Sequence, residues 1–285
     1  MNDAGTATHF LNGRLVKEGE LVVSVRDLGF MRGFAVFDFL ITYNGQKPFY
    51  LDRHIDRLFR SAELIGLAVP WSKEQVHEWV MQALAANADG GEKAIKIVLS
   101  GGASHTLLPE TQPTIAILID PRKDYEFPGT HYTEGVAVVT DKFRRYAPEA
   151  KSNNYIEGVK KAQEAAKQGA IETVYYDDAQ VYEGSTCNIF AVIGGKLVTP
   201  KSNILGGVTR AVLLEVLPSA GIPAEERDFS FDELKGASEM FLAASNKEVM
   251  PVAHMDGAPI GNGMPGPVTK EVMKAFRDFV LSGKW

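Results

Sequence analysis

Two short polar segments carry the residues of this chain that are best suited to chemistry. Ala-Lys-Ser-Asn-Asn-Tyr at 150–155 offers Lys151, and Tyr-Glu-Gly-Ser-Thr-Cys-Asn at 182–188 offers Glu183. A lysine amine can form a Schiff base with an aldehyde cofactor. A carboxylate that faces a pyridinium nitrogen keeps that ring protonated and poor in electrons. Together the two residues predict an enzyme that uses pyridoxal phosphate (PLP).

Three further segments could hold the phosphate of such a cofactor. Gly206–Thr209 opens a predicted helix, whose first N–H groups are unpaired and attract anions. Ser245 and Asn246 follow an apolar strand directly, where loops often hold ligands. Arg57 carries a guanidinium, which matches phosphate in geometry. Each segment also has a plain structural interpretation: a flexible loop, a turn and a solvated arginine.

Composition excludes several classes of protein. The 285 residues are 45% apolar and 23% charged, as is ordinary for a soluble enzyme, and the net charge of −6 argues against nucleic acid or an anionic membrane as partner. No apolar stretch approaches the roughly 20 residues that span a bilayer. The N-terminus lacks a signal-peptide pattern, and the one cysteine, Cys187, fits a reducing compartment, so we expect a cytoplasmic protein. The six histidines are scattered, which predicts no metal site.

Local patterns predict the elements that must position these residues. Asn44-Gly45 between two apolar runs predicts a hairpin, because both turn positions need positive φ. The apolar, β-branched run Leu21–Val25 predicts a strand. Apolar residues at helical spacing predict a helix over 52–65. Ser72 and Gln75 form a capping box that starts a second helix.

The order of these elements predicts two domains of the α+β class. Residues 122–133 are polar, with Pro and Gly, and are the best candidate for an interdomain linker. A small N-terminal α/β domain is then expected over 1–121, and a larger C-terminal domain over 134–285. Strands and helices intermix without strict alternation, which favours mixed sheets in both domains. The larger domain would carry Lys151 in a loop and Glu183 in a turn between strands.

Five motifs occur in an order that resembles the class IV aminotransferases. They are His-Ile-Asp-Arg-Leu, Ala-Lys-Ser-Asn-Asn-Tyr, Glu-Gly-Ser-Thr-Cys-Asn-Ile-Phe, Gly-Gly-Val-Thr-Arg and Ser-Asn-Lys-Glu-Val-Met-Pro-Val, and the likeness runs from about residue 10 to 280. This is the fold-type IV family of PLP enzymes. It includes branched-chain aminotransferases, D-amino-acid aminotransferases, (R)-selective amine transaminases and aminodeoxychorismate lyase. The resemblance implies a fold like that of D-amino-acid aminotransferases.

The resemblance also implies roles for matching residues. Lys151 is similar to the Schiff-base lysine, which also moves a proton between the substrate Cα and the cofactor C4′. Glu183 matches the partner of the pyridine nitrogen. Tyr155 resembles a tyrosine that reaches the cofactor's phenolic oxygen, although branched-chain enzymes have one more residue between lysine and tyrosine. The resemblance assigns the phosphate to Arg57, Val208, Thr209, Ser245 and Asn246.

The substrate side departs from the better-known members of the family. Branched-chain enzymes usually carry Tyr-x-Arg-Pro where this chain has 94–102, and typical D-amino-acid enzymes have an arginine where Ser100 stands. Met-Arg-Gly-Phe at 31–34 is similar to a pattern in atypical D-amino-acid aminotransferases. We therefore expect Arg32 or Lys96 to bind the substrate carboxylate, with Phe37 also at the substrate.

The resemblance leaves four activities open. The one it favours is a transaminase that moves an amino group between a D-amino acid and a 2-keto acid. A branched-chain L-amino-acid aminotransferase is the alternative, followed by aminodeoxychorismate lyase or an (R)-amine transaminase. Members of the family are usually homodimers with the active site near the interface, so a homodimer is expected here.

Overall fold

The computed structural model describes residues 7–285, and their contacts divide into two compact units. The first unit contains the chain up to Tyr125, the segment Glu149–Asn154 and Trp285. The second unit contains Glu126–Pro148 and Tyr155–Lys284.

The first unit is built on an antiparallel sheet with two long helices. Its elements are β1 (Thr8–Leu11), β2 (Arg14–Lys17), α1 (Leu28–Arg32), β3 (Ala35–Tyr43), β4 (Lys47–Pro48), α2 (Leu51–Leu64), α3 (Lys73–Ala85), β5 (Lys93–Ser100) and β6 (Thr114–Pro121). The six strands found in the described chain here run in the order β2-β1-β6-β5-β3-β4. One face of the sheet forms an apolar core with α2 and α3, including Leu40, Leu58 and Val80.

Alternation along β3 gives this sheet two chemically different faces. Val36, Asp38 and Leu40 are fully buried, whereas the intervening Phe37 and Phe39 are only half-buried. Successive side chains of a strand point to opposite faces, so Asp38 lies on the core side and Phe37 on the other. The sheet thus presents an aromatic surface opposite its core.

The second unit is built on a larger mixed sheet. Its elements are α4 (Thr130–Thr133), β7 (Val136–Lys142), α5 (Ile156–Lys167), β8 (Glu172–Tyr176), β9 (Val181–Gly184), β10 (Asn188–Ile193), β11 (Lys196–Thr199), α6 (Val208–Val216), β12 (Ala224–Glu226), α7 (Phe231–Lys235), β13 (Glu239–Ala244), β14 (Glu248–Met255), β15 (Ala258–Pro259) and α8 (Pro267–Ser282). The strand order is β12-β11-β10-β13-β14-β7-β8-β9, with β15 paired to β14. The β11–β12, β14–β7 and β7–β8 pairs are parallel and the others antiparallel.

The α+β prediction is confirmed, and most predicted elements form. The Asn44-Gly45 turn joins β3 to β4 with φ values of 53° and 83°, and Ser72 and Gln75 make both hydrogen bonds of the capping box. The strand predicted over Leu21–Val25 was wrong. Val22 and Val25 are exposed, and no strand in residues 7–285 pairs with this run. A β-branched run becomes a strand only where a neighbouring strand accepts it.

Lys151 lies in a different unit from the one that the sequence-based division suggested. The boundary between Tyr125 and Glu126 falls inside the predicted 122–133 linker. Residues 149–154, however, belong to the first unit because their backbone lies beside β3. Domain boundaries drawn from sequence follow chain order, whereas contacts let a short later segment return to an earlier sheet.

None of the helices described in residues 7–285 is long and apolar enough to cross a membrane.

Candidate active site

Lys151 is held by backbone hydrogen bonds in the first unit. Its N–H donates to Ser61 Oγ at 3.0 Å, and its carbonyl accepts the Phe37 N–H at 2.9 Å. Ser152 forms an antiparallel bridge with Val36, and the Asn153 N–H donates to the Ala35 carbonyl. The segment therefore extends alongside the start of β3, which fixes the backbone from which the Lys151 side chain leaves.

The Phe37 ring lies near two amines. Lys151 Nζ is 4.7 Å from the ring centroid and Lys96 Nζ is 5.8 Å from it. Lys96 pairs with Phe39 in the β3–β5 register, and Val98 pairs with Phe37, so these four residues share the face opposite the core. The structure thus brings together three residues that were predicted for catalysis and substrate binding.

Arg57 is engaged by a buried carboxylate that was not among the predicted site residues. Its Nε and Nη2 donate to the two oxygens of Asp38 at 2.8 and 2.7 Å. His54, one helical turn earlier, has Nδ1 2.6 Å from Asp38 Oδ1. The Asp38 side chain is fully buried, that of His54 almost so, and that of Arg57 is 12% exposed. The result is a compact group in which one carboxylate faces two basic side chains.

Burial and charge act in opposite directions on this group. Burial alone would raise the pKa of Asp38, but the charge of Arg57 and the hydrogen bonds of Arg57 and His54 hold that pKa well below its usual range. The pKa of His54 is lowered, because burial outweighs the attraction of Asp38, and Arg57 and Lys151 lower it further. Asp38 is therefore an anion and His54 a neutral ring near pH 7, which lets the His54 ring donate to Asp38.

Arg32 and Ser100 are placed differently from each other. The Arg32 side chain is exposed on α1 and donates to the Met31 carbonyl. Ser100 is buried, and its hydroxyl donates to Asp27 Oδ2 at 2.8 Å. Asp27 also caps α1 through the Gly29 N–H, and a Cβ on Gly29 would come within 2.7 Å of Ser100 Cβ. Ser100, where the sequence resemblance places the arginine of typical D-amino-acid enzymes, is thus a tightly packed structural residue.

Among the predicted site residues of the second unit, Glu183 is a buried carboxylate that pairs with an arginine and a backbone N–H. It lies on strand β9, which corrects the prediction of a turn, and its side chain is 4% exposed. Arg145 Nη1 donates to Oε1 at 2.7 Å, and the Leu205 N–H donates to Oε2 at 2.9 Å. Burial would lower the pKa of Arg145, but Glu183 and Tyr155 raise it. Arg145 therefore stays a cation and faces the Glu183 carboxylate.

The loop that leads into α6 is held by two side chains of this region. Glu183 accepts the Leu205 N–H, and Asn188 Nδ2 donates to the Leu205 carbonyl at 2.8 Å. A Cβ on Gly207 would lie 1.9 Å from Asn188 Oδ1, so any larger residue there would displace the Asn188 side chain. Gly207 is the N-cap of α6 and makes no side-chain cap, and the next two residues, Val208 and Thr209, are buried. The first turn of α6 therefore meets the requirements of an anion site.

The remaining predicted residues also belong to the second unit. Tyr155 is the N-cap residue of α5 and is half-buried. Ser245 and Asn246 are half-buried in the turn between β13 and β14. Tyr155 raises the pKa of Arg145, which pairs with Glu183, and Glu183 in turn holds the loop before α6 through the Leu205 N–H.

Sequence reasoning missed Asp38, His54 and Arg145. Asp38 and the His-x-x-Arg of residues 54–57 were visible, since an i, i+3 pair on one helix face can share a partner. Nothing local distinguished Arg145 from the adjacent Arg144, because its partner Glu183 is 38 residues away.

Known proteins similar to this chain agree with the motifs. The family Amino-transferase class IV matches residues 35–255. The chain is 33% identical over 281 residues to D-alanine aminotransferase of Staphylococcus aureus strain N315, covering 96% of this chain and 98% of that protein. D-alanine aminotransferase of Listeria monocytogenes strain 10403S is 30% identical, with 93% of each chain covered. The branched-chain aminotransferase of Thermoproteus uzoniensis, solved with norvaline, superposes with a TM-score of 0.89 at 30% identity, covering 98% and 96% of the two chains.

Proposed function

The chain belongs to the class IV aminotransferase family, and on that premise we propose that it moves amino groups between D-amino acids and 2-keto acids. It is an aminotransferase with the fold of that family. The observation that carries the D-amino-acid assignment is the 33% identity to a D-alanine aminotransferase over nearly the whole of both chains.

Class IV aminotransferases depend on PLP, and the residues of this chain fit that cofactor. Glu183 is a buried carboxylate paired with Arg145, and a carboxylate is the group that a protonated ring nitrogen needs as its partner. The start of α6 offers N–H groups without a side-chain cap, beside the buried Thr209. When bound, PLP supplies a ring that withdraws electrons from the substrate Cα.

Each residue has a defined part in this proposal. Lys151 would hold the cofactor through its amine and would carry a proton to and from the substrate Cα. Glu183 would pair with the pyridine nitrogen, and Tyr155 would donate to the phenolic oxygen. Arg57, Val208, Thr209, Ser245 and Asn246 would hold the phosphate. Asp38 orients Arg57 through two hydrogen bonds, which fixes the plane of its guanidinium.

Lys96 is the better supported of the two carboxylate anchors. The amines of Lys96 and Lys151 both lie near the Phe37 ring. A substrate whose carboxylate binds Lys96 would therefore have its amino group close to Lys151. Ser100 is hydrogen-bonded to Asp27 and has no charge with which to bind a carboxylate. Another residue must therefore bind the substrate carboxylate, as an arginine does in typical D-amino-acid enzymes. Arg32 remains the alternative, since its exposed guanidinium donates only to the neighbouring Met31 carbonyl among the contacts described.

One observation favours a second candidate, a branched-chain L-amino-acid aminotransferase. The Thermoproteus uzoniensis enzyme of that name, solved with norvaline, matches this chain with a TM-score of 0.89. Aliphatic substrates would suit the half-buried aromatic surface that Phe37 and Phe39 present opposite the core.

The active form is proposed to be a cytoplasmic homodimer. Phe30, Leu107 and Leu108 of the first unit are more than 70% exposed, and large apolar side chains with so little cover are suited to a surface that another chain covers. The single cysteine, Cys187, is buried and free, as suits a reducing compartment.

An absorbance titration tests this function. Purified protein is titrated with D-alanine in one cuvette and L-leucine in another, while the visible band of the bound cofactor is followed. We expect D-alanine alone to bleach the band. Bleaching by L-leucine alone would indicate a branched-chain aminotransferase. A band that responds to neither amino acid would indicate the lyase or the amine transaminase. A protein that takes up no PLP would refute the cofactor.

Lys151→Ala is the matched catalytic control. We expect turnover to fall at least about a thousandfold, because both the covalent attachment and the proton carrier are lost. The backbone bonds at 151 do not need the side chain, so the variant should stay folded. Lys160→Ala, on the exposed face of α5, should keep wild-type turnover.

A further inference from the structure

Lys247 and Glu172 form a buried ion pair in the second unit. Lys247 Nζ lies 3.3 Å from Glu172 Oε2, and the two side chains are 5% and 2% exposed. The ammonium also donates to Thr186 Oγ1 at 2.7 Å and lies 5.5 Å from the Phe127 ring centroid. Such a pair persists only where further hydrogen bonds offset the loss of water around both charges.

Glu172 is the point where these hydrogen bonds converge. It begins β8 and accepts the hydroxyls of Ser185 and Thr186 and the Thr173 N–H. Burial would raise the pKa of Glu172, but Lys247 and the hydroxyls lower it, so it is an anion. The carboxylate is thus a fixed anchor at the turn that joins β9 to β10.

Lys247 belongs to the same short turn as two proposed phosphate ligands. The turn between β13 and β14 consists of Ser245, Asn246 and Lys247, and the Lys247 N–H donates to the Ala244 carbonyl at 3.1 Å. Lys247 is its only buried member, while the other two are half-buried. Because the Lys247 side chain is held by Glu172 and Thr186, the turn leaves Ser245 and Asn246 little freedom to move.

We propose that Lys247 is a positioning residue, which holds Ser245 and Asn246 in place for the cofactor phosphate by tying their turn to Glu172. This inference rests on the proposed PLP function. Lysine is an unexpected choice for a buried site, since its ammonium is strongly hydrated and its stem flexible. Because Lys247 is buried beside a hydrogen-bonded glutamate, we infer that the ion pair with Glu172 fixes the position of the turn.

The test compares two cofactors that differ only in the phosphate. PLP and pyridoxal are each titrated into the full-length apo-protein of the wild type and of Lys247→Met, whose unbranched side chain is one atom shorter and carries no charge. We expect the Kd for PLP to rise about tenfold, the size seen when residues that orient direct ligands are removed. The Kd for pyridoxal should stay within about twofold, because it does not use the turn.

Lys235→Met is the matched control variant. Lys235 also pairs with a carboxylate, Asp232, and lies 5.3 Å from an aromatic ring, that of Phe231, but its side chain is 54% exposed. We expect it to bind both cofactors as the wild type does. A general effect of removing one lysine would appear in both variants.

Two outcomes would overturn the proposal. Unchanged PLP affinity in folded Lys247→Met would leave the ion pair with a purely structural role. An equal loss for PLP and pyridoxal would mean that the pair acts on the ring through the Glu183 strand. If Lys247→Met does not fold, Glu172→Gln/Lys247→Met leaves no buried charge unpaired and carries the same comparison. A wild type that binds neither compound would refute the proposed function itself.

Discussion

Each unit buries a charged group, and the two groups are built on different principles. In the first unit, Asp38 meets His54 and Arg57, which come from adjacent turns of one helix that packs on the same sheet face. In the second unit, Glu183 meets Arg145 and the Leu205 N–H, each brought from a separate loop. The first is a local arrangement on regular elements, and the second exists only because distant loops converge.

The difference predicts that one group mainly stabilises the fold and the other mainly supports catalysis. The Asp38 group lies on the core side of its sheet, so its removal should act mainly on stability. Glu183 binds backbone and arginine with one carboxylate and is proposed to face the cofactor ring, so its removal should act mainly on turnover. Three measurements sharpen or break this contrast.

Asp38→Asn should have the largest effect on stability. Asparagine cannot balance Arg57, whose side chain is 88% buried, and leaving a buried charge without its partner costs about 3 kcal/mol or more. Urea unfolding followed by tryptophan fluorescence measures this loss, because Trp71, Trp79 and Trp285 all lie in the first unit.

The control for that variant is Asp52→Asn on α2, the helix that carries His54 and Arg57. Asp52 also faces a histidine, His77 at 3.7 Å, but its side chain is 87% exposed. We expect a change within about 0.5 kcal/mol, as for most surface substitutions. Similar losses in the two variants would contradict the stabilising role of the buried group.

Glu183→Gln should lower turnover by about a hundredfold, or about 2.7 kcal/mol, the usual effect of removing one preorganised electrostatic group. The amide keeps the shape of the side chain, so the variant should still bind PLP. Steady-state kinetics give the loss, and the cofactor's absorbance confirms loading. Glu226→Gln breaks another carboxylate–arginine pair of this unit, with Arg210, and should keep normal turnover. Wild-type turnover in Glu183→Gln would remove Glu183 from the site.

His54 should make stability depend on pH by a smaller amount. Its pKa is lowered in the folded protein, so the unfolded chain binds a proton first as the pH falls below about 6.5. Stability should therefore be fully present above that pH and decline below it, by about 1.4 kcal/mol per pH unit while the folded ring stays neutral. His54→Gln should reduce the difference in unfolding free energy between pH 7.5 and 5.5, again read by tryptophan fluorescence.

His77→Gln, which replaces a histidine with a 42% exposed side chain, is the control for that pH series. The same reduction in both variants would show that the pH dependence does not arise in the buried group. A stability that rises as the pH falls would contradict the sign.

The difference between the groups also explains how much of the site could be predicted. Helix α2, the Asn44-Gly45 hairpin and the Ser72 capping box follow from residues within a few positions of each other, and they formed as predicted. Arg57 was predicted as a site residue from such a local motif, and its role at the phosphate stays a prediction. Leu21–Val25 had the right local pattern but found no partner strand, which a local pattern cannot supply.

The sequence by itself determined the class of chemistry, through Lys151, Glu183 and the ordered motifs, and these match the class IV aminotransferases. Only the tertiary structure decided which distant charged and polar side chains pair with each other. Arg145 at Glu183, Lys247 at Glu172 and Asp27 at Ser100 are separated along the chain by 38, 75 and 73 residues. Pairs so distant leave no period, cap or turn signal behind, because the free energy that joins them arises only when burial removes both partners from water.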